Sequence, residues 1–301
     1  MKNSKTIINE YANKNNLFLT KTEEDKLKKI IVDILVDVDS VCTQNNFNYY
    51  IAYGTLLGAV RHKGFIPWDD DVDIIMEVKS IPILIKKINE TFPDKYFFSG
   101  AFIENDLDPF LGTKIMLKDS EIREVGYNYA KQKRGIFLDV FPIMSAPKTN
   151  FRKRIRGLKM KFLNVSFSLQ HEYKQKPNEM FKTQDKKIKN YYRFRRFLGF
   201  LFSLNKGERL KKRRDSYYMK IYKNSSNVSI LYSGLSKNEH HLTTRDFNNF
   251  SLYEFEKNFF RGPIDYNAIL KIFYGENYMQ LPPEEKRERH PVLYITFPKE
   301  Y

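Results

Sequence analysis

The stretch YGTLLGAVRHKGFIPWDDDVDII, residues 53–75, decides how the rest of this chain is read. Near its end four aspartates fall within five positions, Asp69, Asp70, Asp71 and Asp73, beside Trp68, Val72 and Ile74. Carboxylates crowded against apolar residues repel one another and lose hydration, so such a cluster is unfavourable unless something neutralises it. A divalent cation does so. Magnesium takes hard oxygen ligands, one or two carboxylates with phosphate oxygens and water, and manganese accepts the same donors. The spacing adds direction: in a strand alternate side chains share a face, so Asp71 and Asp73 project together while Val72 turns into the core. The alternative is an acidic turn after Pro67, or carboxylates capping a helix, and it weighs most for Asp69 and Asp70. A calcium loop is set aside, because the EF-hand glycine and terminal glutamate spacings are missing.

Two spaced acids need a third, to bridge metal ions or to take the proton of an attacking hydroxyl. Asp139 in GIFLDVFP, residues 135–142, is the candidate: a lone acid between Leu138 and Val140 in an apolar run, where an unpaired charge is unfavourable. Upstream, Gly54 and Thr55 mark a strand-to-helix turn whose backbone N–H groups and helix dipole suit a phosphate. Arg61, His62 and Lys63 follow, cations of the kind that neutralise phosphate charge in phosphoryl transfer. A plain helix start, a charge balance for the aspartates and a structural histidine are the duller readings of these residues. Trp68, the one tryptophan, suits stacking on a base or a choline-like cation, and equally loop packing.

Around this stretch the pattern alternates. Residues 22–46 have helical apolar spacing from Leu27 to Val41, with Thr22 as N-cap and Glu23, Glu24 and Asp25 in the first turn. Strand character follows at 48–52 and 71–76, a helix at 80–90, and further strands at 95–103, 112–118 and 135–141, the last ending at Pro142. Strands separated by helices argue for an α/β or α+β domain, a mixed sheet flanked by helices, over residues 22–147. Residues 1–21 read as an N-terminal extension, 148–225 as a basic, mainly helical segment, and 226–301 as a C-terminal part with a helix at 266–274.

Composition sets outer limits. With 301 residues and 42% hydrophobic content the chain can bury a sizeable core. A single cysteine, Cys42, rules out an internal disulfide and a Cys-rich zinc site. No stretch has signal-peptide character and no apolar run approaches the ~18 residues of a membrane span, so a cytoplasmic location is expected. The net charge of +16 is unevenly placed: residues 148–214 hold 22 Lys/Arg against 4 Asp/Glu, a net +18, and the remainder nets −2. Within that segment YYRFRRFLGFLFSL, residues 191–204, sets Arg193, Arg195 and Arg196 beside Phe197, Leu198, Phe200, Leu201 and Phe202. The run is too short to span a bilayer but suits dipping into one leaflet, with the arginines on anionic headgroups at the inner face of the cytoplasmic membrane. An anionic glycan would suit the same surface; a plain helical core with a solvated basic face and nucleic acid, which aromatics among basic residues can also bind, are the rivals, nucleic acid the weaker.

The residues now carry a resemblance. YGTLLGAVRHKGFIPWDDDVDI resembles the signature of the LicD family, which includes bacterial phosphocholine transferases and is related to fukutin and fukutin-related protein. GIFLDVFPI, residues 135–143, resembles the family's second acidic block. IDYNAILKIFYGENYMQLPPEEKRERH, residues 264–290, resembles its closing block, in which Arg287, Arg289 and His290 are candidate donor or acceptor contacts. The resemblance implies a nucleotidyltransferase-like fold with Gly54 and Thr55 at the turn, Asp71 and Asp73 as metal ligands beside Asp69, and Asp139 as the third acid. Thr55 departs from the commoner serine or glycine. The implied reaction takes CDP-choline or another CDP-alcohol, passes its phospho-alcohol to a sugar hydroxyl of a cell-surface glycan, a teichoic-acid precursor or a lipid-linked sugar, and releases CMP. A nucleotidyltransferase acting on RNA or a small molecule would use the same three acids.

Overall fold

The computed structural model describes residues 17–124, 134–145, 147, 149–174, 186–204, 207–220, 227–230, 240–243, 249–284, 287 and 289–301. Most of the expected N-terminal extension, residues 1–16, lies outside them. Helix α1 (Lys21–Gln44) is closed at its start by Thr20, not Thr22: the Thr20 hydroxyl accepts from the Glu23 N–H at 3.3 Å and the Glu23 carboxylate accepts from the Thr20 N–H at 2.8 Å. The reciprocal pair satisfies two donors at once, which a cap at Thr22 could not do with the same glutamate. The expected apolar spacing holds, and Leu27, Ile30, Ile31, Ile34, Leu35, Val38 and Val41 are buried. Each such side chain contributes about 1.5–3 kcal/mol relative to exposure.

The fold is mixed α/β. Five strands lie side by side in the order β1 (Tyr49–Ile51), β2 (Asp73–Glu77), β6 (Phe137–Ser145), β4 (Thr113–Leu117) and β3 (Tyr96–Gly100). β2 and β6 are parallel, and the other neighbours are antiparallel. Short strands β7 (Asn227–Ile230) and β8 (His240–Thr243) extend the sheet from the far half of β6. α1, α2 (Tyr53–His62) and α3 (Ser80–Thr91) supply much of the core against this sheet.

Two expectations are corrected. β6 does not stop at Pro142 but runs on to Ser145. The Asp139 N–H and the Ile143 carbonyl both point to the β2 side, to Val72 and Val78, so Pro142 faces the other way. On that side β4 pairs no further than Val140 and β7 begins at Ile143, so the missing N–H meets a gap in the ladder. β2 begins at Asp73, so Asp71 lies just ahead of the strand. The alternation survives, because Val72 is fully buried and its carbonyl accepts from Asp139 N–H at 3.0 Å.

The basic segment is helical where described: α4 (Asn150–Lys174), α5 (Lys186–Ser203) and α6 (Gly207–Tyr218). α6 is fixed to the loop after β3 by Arg214, fully buried, which donates to the Pro109 and Phe110 carbonyls at 3.3 and 3.2 Å and to Asp215 at 3.0 Å. Asp215 also accepts from Phe102 N–H and from Lys211. The C-terminal part holds the hairpin β9 (Phe250–Phe255) and β10 (Asn258–Pro263), then α7 (Tyr266–Tyr274), as expected. Strand β11 (Val292–Thr296) pairs with β5 (Glu121–Glu124), a contact across some 170 residues that local pattern does not announce.

Candidate active site

The parallel register of β2 and β6 sets Asp73 directly opposite Asp139. Asp73 is held from both sides of its backbone: its N–H donates to Thr55 Oγ1 at 2.8 Å, and its carbonyl accepts from Ala52 N–H at 2.9 Å. Thr55 is buried, so its hydroxyl fixes the strand and is not turned to a ligand. The chain reaches α2 through Tyr53 at φ 45°, a conformation unfavourable for a bulky residue; its ring is wedged between Phe141 and Phe273, at centroid distances of 5.3 and 4.8 Å. Gly54 faces the carboxylate of Asp69, and any β-carbon at 54 would collide with Asp69 Oδ2. The Asp69 carboxyl group thus lies beside Gly54 at the start of α2. Gly58, one turn on, lets the helix close on the Gly64 carbonyl.

The electrostatics of the cluster are lopsided. Burial and the charges of Asp71, Asp139 and Asp69 push Asp73 well above the usual carboxylate range, against the pull of Lys114. Burial, Asp71 and Asp70 do the same to Asp69, whose carboxyl also shares a hydrogen bond with Asp71. Asp139 is raised by burial to about 6, Lys114 opposing. Two cations face this group. Lys114, on β4 opposite Asp139, donates to both Asp139 oxygens at 2.7 and 2.9 Å while lying over the rings of Phe137 and Phe110. His290 Nδ1 is 2.6 Å from Asp70 Oδ1. Burial disfavours its charge, but the bond to Asp70 and the charges of Asp71, Asp70 and Glu124 prevail and raise it to about 11, so it is an imidazolium at neutral pH. Two cations against Asp69, Asp70, Asp71, Asp73, Asp139 and Glu124 leave an excess of negative charge, the condition a divalent cation relieves. Among the described residues, no three acidic, histidine or cysteine side chains are grouped so that they could hold a metal ion by themselves. The donor set still suits magnesium, which usually keeps water and takes phosphate oxygens alongside one or two carboxylates.

The upstream cations go elsewhere. Arg61 donates to His62 Nε2 at 2.9 Å and to the carbonyls of Tyr278 and Gln280, and Lys63 pairs with Glu254 of β9 at 3.0 Å. Arg61 and Lys63 tie α2 to the C-terminal part, and His62 accepts from Arg61. Trp68 carries Arg287 over its ring at 4.6 Å, and Arg289 is exposed. The closing block thus meets the first motif twice, through Arg287–Trp68 and His290–Asp70. Sequence reading missed Lys114 and the partner of Asp70. Lys114 had a signal, a lone lysine in an apolar strand mirroring the lone acid at 139; the pairing of residues 70 and 290 had none. A cavity bounded by Asp70, Asp71, Glu124 and His290 has about 10 Å³, space for one water and none for a nucleotide.

Known proteins resemble this chain over different lengths. A lipopolysaccharide cholinephosphotransferase LicD of Haemophilus influenzae is 27% identical over 272 residues, 87% of this chain and 94% of that protein. Uncharacterized proteins of Rickettsia prowazekii and Rickettsia typhi are each 52% identical over 44 residues, 15% of this chain and 16% and 14% of theirs. Residues 46–167, which contain both acidic blocks, match the family described as LicD/FKTN/FKRP, nucleotidyltransferase domain. That segment, in which the central strand pair sets Asp73 opposite Asp139, is the part of this chain that resembles the LicD-family nucleotidyltransferase domain.

Proposed function

We propose that the chain moves a phospho-alcohol, phosphocholine foremost, from a CDP-alcohol such as CDP-choline to a sugar hydroxyl, on lipopolysaccharide, a teichoic-acid precursor or another surface glycan. The name of the Haemophilus relative supports phosphocholine and lipopolysaccharide as first choices. The observation that carries the reading is the β2–β6 register, with Asp73 opposite Asp139 and the surplus of carboxylates around them. Asp71 and Asp73, with Asp69, would hold magnesium or manganese, which when bound supplies neutralising charge to the diphosphate and the departing CMP. Asp139, with a carboxyl raised to about 6, suits taking the acceptor hydroxyl proton near neutral pH. The hydroxyl oxygen then bonds to the phosphorus beside the alcohol as the bond to CMP breaks. Lys114 keeps Asp139 in position, and Gly54 and Thr55 keep the shape of the site. A lipid-linked acceptor would bring the reaction to the inner face of the cytoplasmic membrane.

The test is a panel of CDP-alcohols with magnesium, monitored for CMP. CMP release from CDP-choline, abolished by a chelator and restored by magnesium or manganese, is the expected result. Pyrophosphate release from a nucleoside triphosphate, with every CDP-alcohol inert, would instead favour nucleotidyl transfer.

A further inference from the structure

We propose that exposed apolar stripes on α4 and α5, together with the cationic cleft between α4 and α6, form a docking surface for an anionic lipid bilayer. On α4, Phe151, Ile155, Leu158, Phe162 and Val165 are exposed. Their spacing of four, three, four and three residues puts them on one face. On α5, Phe194, Phe197 and Leu201, followed by Leu204 just past its last residue, repeat that spacing, with Phe200 beside them, and all are exposed. Leu204 is 80% and Phe151 73% exposed, so the chain's own core makes no use of either. The helices pack together: the Phe162 and Phe202 rings meet at 6.0 Å, and a β-carbon at Gly199 would strike the Leu169 carbonyl. Scattered apolar residues are ordinary on a protein surface, but aligned stripes on two packed helices mark an interaction face.

Charge identifies the occupant. Phe162 also lines an open cleft of about 860 Å³, whose cationic lining is Lys159, Arg209, Lys212 and Arg213, with Glu208 the acid. Acyl-chain contact and phosphate contact therefore adjoin at one side chain. The expected headgroup arginines change: Arg195 pairs with Glu172 at 2.7 Å and Arg196 donates to the Glu172 carbonyl, both tied to α4, while Arg193 stays exposed. The segment's net +18 repels a second identical copy, and a soluble polyanion has no use for exposed phenylalanines. A leaflet bearing anionic headgroups satisfies both demands, with the helices lying in the interface. Among the described residues no helix is long and apolar enough to cross a membrane, which fits lying on it.

The test is flotation of the full chain with phosphatidylglycerol–phosphatidylcholine vesicles and with phosphatidylcholine alone, without donor or metal. Binding to the anionic vesicles, weakening as salt rises, is expected. The variants Phe194→Ser/Phe197→Ser/Leu201→Ser and Lys159→Gln/Lys212→Gln/Arg213→Gln should each bind roughly tenfold more weakly, with CMP release from soluble substrates unchanged. Phe197→Trp should gain a blue-shifted emission on vesicles. Absence of flotation at low salt overturns the proposal. So does flotation that only the charge variant weakens, which means a polyanion site, or a stripe variant that turns a dimer into a monomer, which means a second copy. Because no donor is present, a chain that floats but releases no CMP fails only the chemistry proposed above, and the reverse outcome fails only the docking surface.

Discussion

At Lys114 the energetics turn on what remains when one partner is removed. Lys114 and Asp139 are both buried, and their two hydrogen bonds offset desolvation that neither would survive alone. Lys114→Met should lower unfolding stability by about 3–5 kcal/mol in urea titrations. Adding Asp139→Leu should recover most of that loss, because an apolar pair leaves no stranded charge. Asp73 behaves in the opposite way. Its ionised form is opposed by burial and by three neighbouring acids, so Asp73→Asn should reduce CMP release by about 10²–10³-fold. Its melting temperature in chelator should be no lower than that of the parent chain; a marked fall would mean that Asp73 is structural. Of the Lys114–Asp139 pair the sequence analysis picked out only the acid, alone in an apolar strand, although the lysine carried the same signal. Their partnership was not legible, because strand order is invisible in either strand. Cys42 is simpler: burial pushes its thiol up to about 12, so it should resist thiol reagents at pH 8 until the chain unfolds.

At the scale of elements, α2 and the loop after it depend on two glycines one turn apart. Gly54 admits the Asp69 carboxylate and Gly58 admits the Gly64 backbone carbonyl. Gly58→Ala should cost about 1–3 kcal/mol, since backbone must move to make room. Gly54→Ala should spare stability more than activity, because the obstacle is a side chain whose displacement disturbs the acids; thermal melts and CMP release measured side by side distinguish the two. The helix start was legible from the turn at Gly54 and Thr55. What the sequence did not announce is that the neighbouring Asp69 carboxylate lies beside Gly54. The N-cap shift from Thr22 to Thr20 is a similar case: both candidates lie within one turn, and only the reach of Glu23 chooses between them.

At the scale of the whole molecule, the C-terminal part completes the site. β11 on β5 delivers His290 to Asp70, and Arg287 lies over Trp68. His290→Ala should leave Asp70 buried without its cation and cost about 1–2 kcal/mol, the low end for such a pair because the imidazole is partly exposed. The loss should show as a lower melting temperature together with reduced CMP release. A longer reach holds the basic segment in place, where Arg214 and Asp215 clasp the loop between β3 and β4. By itself the sequence determined the mixed α/β character, the helices and most strands, and the acids proposed to carry the chemistry, because periodicity and the burial of lone charges are local properties. Only the tertiary structure decided that Asp73 lies opposite Asp139, that Lys114 and His290 rather than Arg61 and Lys63 face the acids, and that the exposed stripes belong to two packed helices. Those outcomes depend on strand order and on contacts across some 25 to 220 residues, and no local pattern encodes which distant partner a buried charge will find.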